Sequence, residues 1–392
     1  MSTAEETRPL EHDELLTLVE ICIHEKRWQA LRETLHGVPV PEIADLISDL
    51  EKANQVLFFH ALPRGLKAEV FSYMNLERQN ALLEILTEED TRELLANLRP
   101  DDRTQLLEEL PGQVTQRLLN LLSHEDLKEA RQLLGYPEES VGRLMTPDYI
   151  AIRPEWTIRR AIEQVRRKGH DSEIISIVYV VDATWKLIDA LSIRKLILAD
   201  PDSKVEDLMD KSFVSLSAFE DREEAVRALA RYDKVAMPVV DSDGILLGIV
   251  TVDDVLDVLE EEATEDFHKA AAVSPLKTSY KETSPFYLVR SRIGWLAILV
   301  VVNLISAGVI AAYEETLAAI IALSFFIPLL IGSGGNTGAQ SATLMVRAIA
   351  TGDVLGSEWL RILGKELFVG MMLGVAMGVL STFLGIFVGG LY

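Results

Sequence analysis

A polar segment, Gly332–Gln340 (GSGGNTGAQ), has the residue types to contact an ion inside a membrane. It lies in a run from Thr316 to Val346 without a charged residue, and about 20 apolar residues suffice to cross a bilayer. Glycine and small polar residues form helices poorly where free backbone groups find no water, so the segment predicts a broken membrane helix lining a wet cavity. The residues expected along this path are Gly334, Gly335, Asn336, Thr337 and Gln340.

The alternative for this segment is helix packing. Gly334 and Gly338 form a small-xxx-small pair, which lets two membrane helices approach closely. Packing alone does not explain why Asn336, Thr337 and Gln340 stand beside the glycines.

A second segment, Asp253–Asp266, holds eight acidic residues and no basic residue in 14 positions. On a helix, one face carries Asp254, Asp257, Glu261 and Glu265, and each like-charge pair there costs a few tenths of a kcal/mol. Solvation could offset this cost, and so could a hard divalent cation, because carboxylate oxygens are its preferred ligands. Since the segment leads towards the membrane runs, we expect it to connect a soluble half with a membrane half.

The charge of the chain is unevenly distributed. From residue 285 onward five basic residues match five acidic ones, so the net charge of −23 belongs to residues 1–284. Such an acidic surface repels nucleic acid and attracts cations, and nucleic acid is not an expected partner. A single cysteine, Cys22, and a polar, acidic start without a signal peptide predict a cytoplasmic soluble half.

The first third of the chain repeats with a period of 12 residues. Leucine pairs recur at 82–83, 94–95, 106–107 and 118–119, each within about two turns of amphipathic helix. Such short units bury their apolar faces only by stacking, so residues 13–135 predict a small helical superhelix.

A second internal repeat, with an offset of about 60 residues, follows Ser140. Val180–Asp182 is echoed by Val239–Asp241, and the apolar runs 174–181 and 234–240 predict buried strands. The order of strands and helices resembles a tandem of CBS domains.

CBS domains often hold an adenine nucleotide at a Ser/Thr-x-x-Asp turn that opens a helix. Thr251 and Asp254 keep that pattern, but the first copy has Ser192 followed by Lys195, which cannot accept hydrogen bonds from a ribose. The resemblance makes ATP a candidate ligand at Ser192, Arg194 and Thr251.

Three uncharged runs close the chain, and residues 293–313, 316–346 and 367–392 are each predicted to span a bilayer. With the N-terminus inside, all five basic residues of this half lie on the cytoplasmic side. The sequence therefore predicts a multi-pass protein of the cell (inner) membrane with cytoplasmic N-terminal domains.

Together these segments resemble the MgtE family of magnesium channels and transporters over essentially the whole chain. The resemblance implies a multidomain membrane protein with an all-α superhelical N domain, an α/β tandem CBS pair and an α-helical transmembrane domain. The expected boundaries are 1–137 for the acidic N domain, 138–200 and 201–252 for the CBS domains, 253–284 for an acidic connecting helix and 285–392 for the transmembrane domain.

The resemblance also implies a function. It predicts a homodimer in the lipid bilayer that transports Mg²⁺ and is closed by cytosolic Mg²⁺ bound between the N domain, the CBS domains and the connecting helix. By match to the family's acidic pattern, the metal ligands would be Asp101, Asp221, Glu223, Asp233, Asp254, Asp257, Glu262, Glu265 and Asp266. Gln105 stands where the family pattern has another acid.

The family has five membrane helices, two more than this sequence predicts, and its pore aspartate lies in the fifth. We therefore expect either a truncated sequence or a natural short form. The alternative function is a membrane-tethered sensor of magnesium or nucleotide that regulates a partner without conducting. An enzyme is not expected, because no nucleophile with a base and no metal triad stands out.

Overall fold

The computed structural model describes residues 12–271, 273–274, 283–319, 322–350, 354 and 358–389. The chain divides into two compact units between Val258 and Leu259, and each unit is described by itself.

In the described part of the first unit, from His12 onward, ten helices come first. Their bounds are α1 His12–His24, α2 Trp28–Thr34, α3 Val40–Asp49, α4 Lys52–Ala61, α5 Arg64–Ser72, α6 Leu76–Ile85, α7 Glu88–Asn97, α8 Pro100–Glu109, α9 Gly112–Leu119 and α10 His124–Leu133.

The predicted 12-residue period is confirmed by these helices. From α2 onward each helix begins 12 residues after the previous one, and helices pack on the next but one, as α3 on α5 and α5 on α7. The repeated leucine pairs supply the core, since Leu82, Leu94 and Leu106 are buried. Each repeat is too short to bury its own apolar face, so stacking stabilises the superhelix.

Capping residues set the helix starts. The side chains of Asn75, Thr87 and Ser123 each accept a hydrogen bond from a backbone N–H of the helix that follows. Prolines stand at or beside the start of other repeats, where the missing N–H costs nothing, as at Pro100 in the first turn of α8.

Two similar α/β modules follow, as the sequence predicts. Their elements are α11 Val141–Leu144, β1 Ala151–Ile152, α12 Ile158–Lys168, β2 Ile177–Val181, β3 Leu187–Ser192, α13 Ile193–Leu198, a 3₁₀ turn Val205–Leu208, β4 Leu216–Ser217, α14 Arg222–Tyr232, β5 Ala236–Val240, β6 Leu246–Thr251 and α15 Val252–Ala270.

Each module has a three-stranded sheet in which the first two strands are parallel and the last two antiparallel. The buried strands begin two or three residues later than the apolar runs from 174 and 234 predict, because strand pairing starts only at Ile177 and Ala236. The two modules interlock: Val141 and Met145, which precede the first sheet, pack with Val239 and Val250 of the second.

The predicted connecting helix is shorter than expected. It begins at Val252 and ends at Ala270 rather than continuing to residue 284, and residues 275–282 lie outside the described residues. The acidic segment therefore forms most of a single helix of 19 residues.

The second unit contains the membrane segment. After the last turns of α15 it has α16 Pro285–Ala312, α17 Glu314–Ala319, α18 Ala322–Ala350 and α19 Trp359–Gly389. Within the described part of the chain, Pro285–Ala312 and Trp359–Leu384 are long and apolar enough to cross a membrane. The segment Gly332–Gln340 makes α18 more polar than these two.

The prediction of a broken helix at Gly332–Gln340 is wrong. α18 runs unbroken through the segment, and through Pro328 as well. An unbroken helix satisfies the backbone groups internally, which hydrocarbon surroundings require. Hydroxyl groups are accommodated in the same way, since Ser333 Oγ donates to the carbonyl of Leu329 at 2.7 Å.

Candidate metal centre

The first turn of α8 carries a buried carboxylate. This turn lies on the side of the helical repeats that faces the first CBS module. Pro100 opens the helix, and Asp101 and Asp102 occupy its first turn, where exposed backbone N–H groups favour negative charge. Asp101 is only 8% exposed. Its Oδ1 atom is buried and has no hydrogen-bond partner among the described residues.

A second pair of acids opens α15. Strand β6 runs directly into this helix, so Asp253 and Asp254 also stand in a first turn. Thr251, which is 1% exposed, donates its hydroxyl hydrogen to Asp254 Oδ2 at 2.6 Å. This bond fixes the orientation of the Asp254 carboxylate.

Glu173 contributes from the loop before β2. Its backbone N–H donates to the carbonyl of Asp148 at 2.8 Å, and its side chain is 5% exposed. Arg99, just before α8, donates to the Glu173 carboxylate. The helical repeats, the first CBS module and the start of α15 thus meet around these carboxylates.

Mutual repulsion and burial raise the pKa values of this group. Burial, followed by the charges of Asp254 and Asp102, raises the pKa of Asp101 well above its ordinary value. Burial raises the pKa of Asp102 to about 6, although the charge of Arg99 lowers it. Burial also raises the pKa of Asp254 to about 7, against the opposing effect of its bond from Thr251.

Glu173 follows the same rule. Burial raises its pKa most, Arg99 lowers it, and Asp253 and Asp102 raise it further. We call Asp101, Asp102, Glu173, Asp253 and Asp254 the acidic cluster. Charged carboxylates held together in this way favour the uptake of a cation.

The donor set of the acidic cluster suits a hard divalent cation, because it consists of carboxylate oxygens and includes the unpaired Oδ1 of Asp101. In the described part of the chain, no group of three or more His, Cys, Asp or Glu side chains is already arranged to hold a metal ion. A cation would therefore have to draw the carboxylates together.

Of the predicted metal ligands, Asp254 lies close enough to Asp101 for its charge to raise the pKa of Asp101, and the charge of Asp257 acts on Asp102. Glu262, Glu265 and Asp266 lie further along α15, where Glu265 pairs with Lys269 at 2.7 Å.

Asp221, Glu223 and Asp233 are not brought into the acidic cluster. Asp221 caps α14 by accepting from the backbone N–H of Glu223 at 2.9 Å, while Asp233 ends the same helix in a left-handed conformation with φ +49°. Glu223 accepts from Arg227 at 2.5 Å. Two ends of an 11-residue helix are about 16 Å apart, so Asp221 and Asp233 cannot share one ion within one chain.

The predicted nucleotide residues lie at two helix starts. Ser192 caps α13 by accepting from the Lys195 backbone N–H at 3.4 Å, and Arg194 is exposed. Lys195 forms an ion pair with Asp210 at 2.7 Å, so its positive charge is already neutralised by an acid of the same chain.

The predicted pore residues all lie on α18. Asn336 and Gln340 are one helical turn apart, and Thr337 precedes Gln340 by three residues, so the three side chains share one side of the helix. Gly334 and Gly335 have no neighbouring atoms in the space that a Cβ would fill.

Arg99, Asp102, Glu173 and Asp253 are site residues that sequence reasoning missed. Asp102 and Asp253 adjoin predicted ligands, so the acidic doublets at the starts of two helices were an available signal. Nothing near Glu173 in the sequence indicates a contact with Arg99, 74 residues earlier.

Comparison with family models matches four parts of the chain to three families. Residues 38–139 match the MgtE intracellular N domain, residues 141–202 and 205–261 each match a CBS domain, and residues 327–391 match the divalent cation transporter domain of MgtE.

Two relatives are similar over most of their length. The magnesium transporter MgtE of Thermus thermophilus is 38% identical over 371 residues, which cover 94% of this chain and 82% of the relative. The magnesium transporter MgtE of Bacillus subtilis is 31% identical over 359 residues, covering 88% of this chain and 79% of the relative.

Solved structures resemble the soluble half. The cytosolic domain of the Mg²⁺ channel MgtE in complex with ATP is 36% identical, with a TM-score of 0.59, and the match covers 62% of this chain and 99% of that one. The soluble part of a magnesium transporter is 29% identical, with a TM-score of 0.62, and the match covers 64% and 100%.

Proposed function

The chain belongs to the MgtE family of magnesium transporters, and from that premise we propose that it carries Mg²⁺ across a membrane and is held closed by Mg²⁺ bound to its acidic soluble half. The family's tandem CBS domains and helical N domain are both present, as the sequence predicts.

The observation that carries the gating part is the buried carboxylate of Asp101. Its Oδ1 has no hydrogen-bond partner in the described structure, and its strongest electrostatic neighbours are the acids Asp254, Asp102 and Glu173. The favourable charge of Arg99 is outweighed by these acids. A buried carboxylate that faces mainly other carboxylates destabilises the folded state, so this arrangement needs a proton or a cation.

Magnesium supplies that charge. Two unit charges 4 Å apart interact by about 4 kcal/mol at an effective dielectric constant near 20, so bare carboxylates drive the helical repeats away from α15. A divalent ion reverses the sign of the interaction. Because it binds the closed arrangement better than the open one, rising Mg²⁺ shifts the population towards the closed state.

The residues that would hold regulatory Mg²⁺ in this way are Asp101 and Asp254, supported by Asp102, Asp257 and Glu173. The resemblance to the family adds a further set that the fold leaves apart from the cluster: Asp221, Glu223, Asp233, Glu262, Glu265 and Asp266. We propose that these residues bind additional ions, and that other parts of the assembly supply the remaining ligands of those ions.

For the transported ion, the side of α18 that carries Asn336, Thr337 and Gln340 is the proposed path. Since α18 is a continuous helix, its carbonyls are engaged in backbone bonds, and the amide and hydroxyl side chains offer the contacts instead. Mg²⁺ loses its water reluctantly, so these groups would contact a largely hydrated ion.

The proposed assembly is a homodimer in the cell membrane with its soluble half in the cytoplasm. Exposed apolar residues on the CBS pair support a second copy as partner: Ile197 and Leu198 on α13 are 63% and 79% exposed, and Leu256 on α15 is 57% exposed. The orientation follows from the basic residues of the membrane half, which all fall on one side of the predicted topology.

ATP is a proposed second ligand of the CBS pair. It is supported by the relative whose cytosolic domain was solved with ATP, and by Ser192, Arg194 and Thr251 at the matching helix starts. Lys195 takes the place of the acid that would accept hydrogen bonds from ribose, so we expect weak binding.

A sensor that regulates a partner without conducting is not favoured, because the similar proteins are named transporters and the membrane half matches a transporter domain. For the same reason we propose a transport rather than an enzymatic role.

Small-angle scattering of residues 1–270 tests the gating part. The radius of gyration should fall when Mg²⁺ replaces EDTA, and a variant with Asp101→Asn and Asp254→Asn should respond much less. An unchanged radius in the wild-type protein would mean that Mg²⁺ does not close the soluble half.

A further inference from the structure

Arg99 joins the helical repeats to the first CBS module. It directly precedes Pro100, and this position holds its backbone extended, with φ −62° and ψ 153°. From there its side chain donates to the carboxylate of Glu173. This Arg99–Glu173 pair links residues 74 positions apart in the sequence.

The pair is asymmetric in burial. The side chain of Glu173 is 5% exposed, whereas that of Arg99 is 51% exposed. Without Arg99, a nearly buried carboxylate would face the charges of Asp253 and Asp102, and it would lose the cation that lowers its pKa most among the described residues. Removing one member of a buried pair costs far more than an exposed pair contributes.

Arg99 also acts on the acidic cluster as a whole. Its charge interacts favourably with Glu173, Asp101, Asp102 and Asp253. The guanidinium is thus a cation built into the chain at the place where a metal ion would be attracted, and it stays charged at any physiological pH.

A second ion pair crosses the same boundary at the other end of α8. Arg143 of α11 pairs with Glu108 at 2.9 Å. Arg103 pairs with Asp126 and Glu129 inside the helical repeats, and its charge also acts on Asp148 of the first CBS module. Loss of Arg99 should therefore free only the first turn of α8 and the Glu173 loop, while the far end remains attached.

We propose that Arg99 is a positioning residue that holds the start of α8 on the Glu173 loop when magnesium is scarce. It thereby keeps Asp101 near Asp254 and limits how far the soluble half opens before Mg²⁺ binds. Its relevance to gating rests on the proposed function, whereas the contact itself does not require Mg²⁺.

Amide hydrogen exchange of the full chain in detergent tests this, in EDTA and in millimolar Mg²⁺. In EDTA, Arg99→Gln should make residues 171–176 and 101–104 exchange about tenfold faster, as expected when a charge-assisted contact is lost. Arg99→Lys should keep most of the protection. The matched control is Arg64→Gln, which removes an ion pair of 2.6 Å to Glu93 inside the helical repeats and should leave both segments unchanged.

Exchange in helices α3–α6 reports whether each variant is folded. A folded Arg99→Gln protein that matches wild type in EDTA would overturn the proposal, and so would an Arg99→Lys protein as fast as Arg99→Gln. Failure of the magnesium hypothesis looks different: wild-type exchange would not respond to Mg²⁺, while Arg99→Gln would still be faster in EDTA and would support the contact.

Discussion

Thr251 donates a hydrogen bond of 2.6 Å to Asp254 at the start of α15. These are the two residues that could hold a ribose in a CBS domain, and here they bond to each other. The bond fixes Asp254 opposite the first turn of α8. The same pair therefore positions a carboxylate for the acidic cluster, in which burial and then the charge of Asp254 raise the pKa of Asp101.

Asp101→Asn should stabilise the soluble half in EDTA and weaken its response to Mg²⁺. The substitution keeps the shape of the side chain but removes a buried charge, a change we expect to be worth roughly 1–3 kcal/mol. Thermal unfolding in EDTA and in Mg²⁺ measures both effects. Asp45→Asn, at an exposed position of α3, is the control and should change neither. Equal behaviour of the two variants would remove Asp101 from the site.

Asp254→Asn combined with Asp257→Asn should increase magnesium uptake by cells. The helix is kept, but the charge that Mg²⁺ bridges is lost, so the closed state loses its advantage. Glu260→Gln with Glu261→Gln removes the same charge from the same helix at positions outside the predicted ligands. If both double variants raise uptake equally, the charge of the helix matters and the named carboxylates do not.

In EDTA, the stability of the soluble half should fall as the pH rises from about 4 towards 7. Asp102 and Asp254 have folded-state pKa values of about 6 and about 7, above the 3.8 of an unperturbed aspartate. The folded state therefore binds more protons than the unfolded state in this window, and each carboxyl that ionises there destabilises it.

Mg²⁺ should remove most of this slope, because it replaces the protons. Unfolding curves at pH 5, 6 and 7.5 with and without Mg²⁺ provide the comparison. A stability in EDTA that stays level or increases across this range would show that the carboxyls are not held together in solution.

Asn336→Leu should lower magnesium flux at least tenfold while dimer formation and expression persist. Leucine keeps the bulk but removes the amide that contacts a hydrated ion. Asn303→Leu makes the same exchange in α16 and should conduct normally. Gly334→Leu should instead disturb the approach of a helix from the second copy and reduce the folded dimer, since no other segment of the described chain lies near Gly334. If Asn336→Leu conducts normally and only Gly334→Leu fails, the segment is a packing motif.

The superhelix could be predicted because its signal is local and repeated. Each leucine pair, such as Leu94 and Leu95, reports burial within its own helix, and a period of 12 residues fixes the next start. The CBS strands were equally visible as apolar runs. Their exact starts depended on pairing partners about 15 residues further on, as for Ile177 with Ser192.

The helix break and the ion-pair contact show what local reasoning misses. Propensity predicted a break at Gly332–Gln340, but the backbone of a membrane segment must be satisfied internally, and a continuous helix does this. The contact of Arg99 with Glu173 depends on how two domains meet, which no spacing in the sequence encodes.

Magnesium uptake by proteoliposomes that contain the full chain, with soluble halves facing outward, tests the central claim most directly. We expect uptake above that of empty liposomes when Mg²⁺ at the soluble face is low. The uptake permeability, which is the uptake rate divided by the Mg²⁺ concentration, should decline as that concentration rises. The double substitution Asp254→Asn with Asp257→Asn should abolish this decline. Uptake no greater than in empty liposomes, or the same uptake permeability at every Mg²⁺ concentration, would contradict a magnesium transporter closed by magnesium.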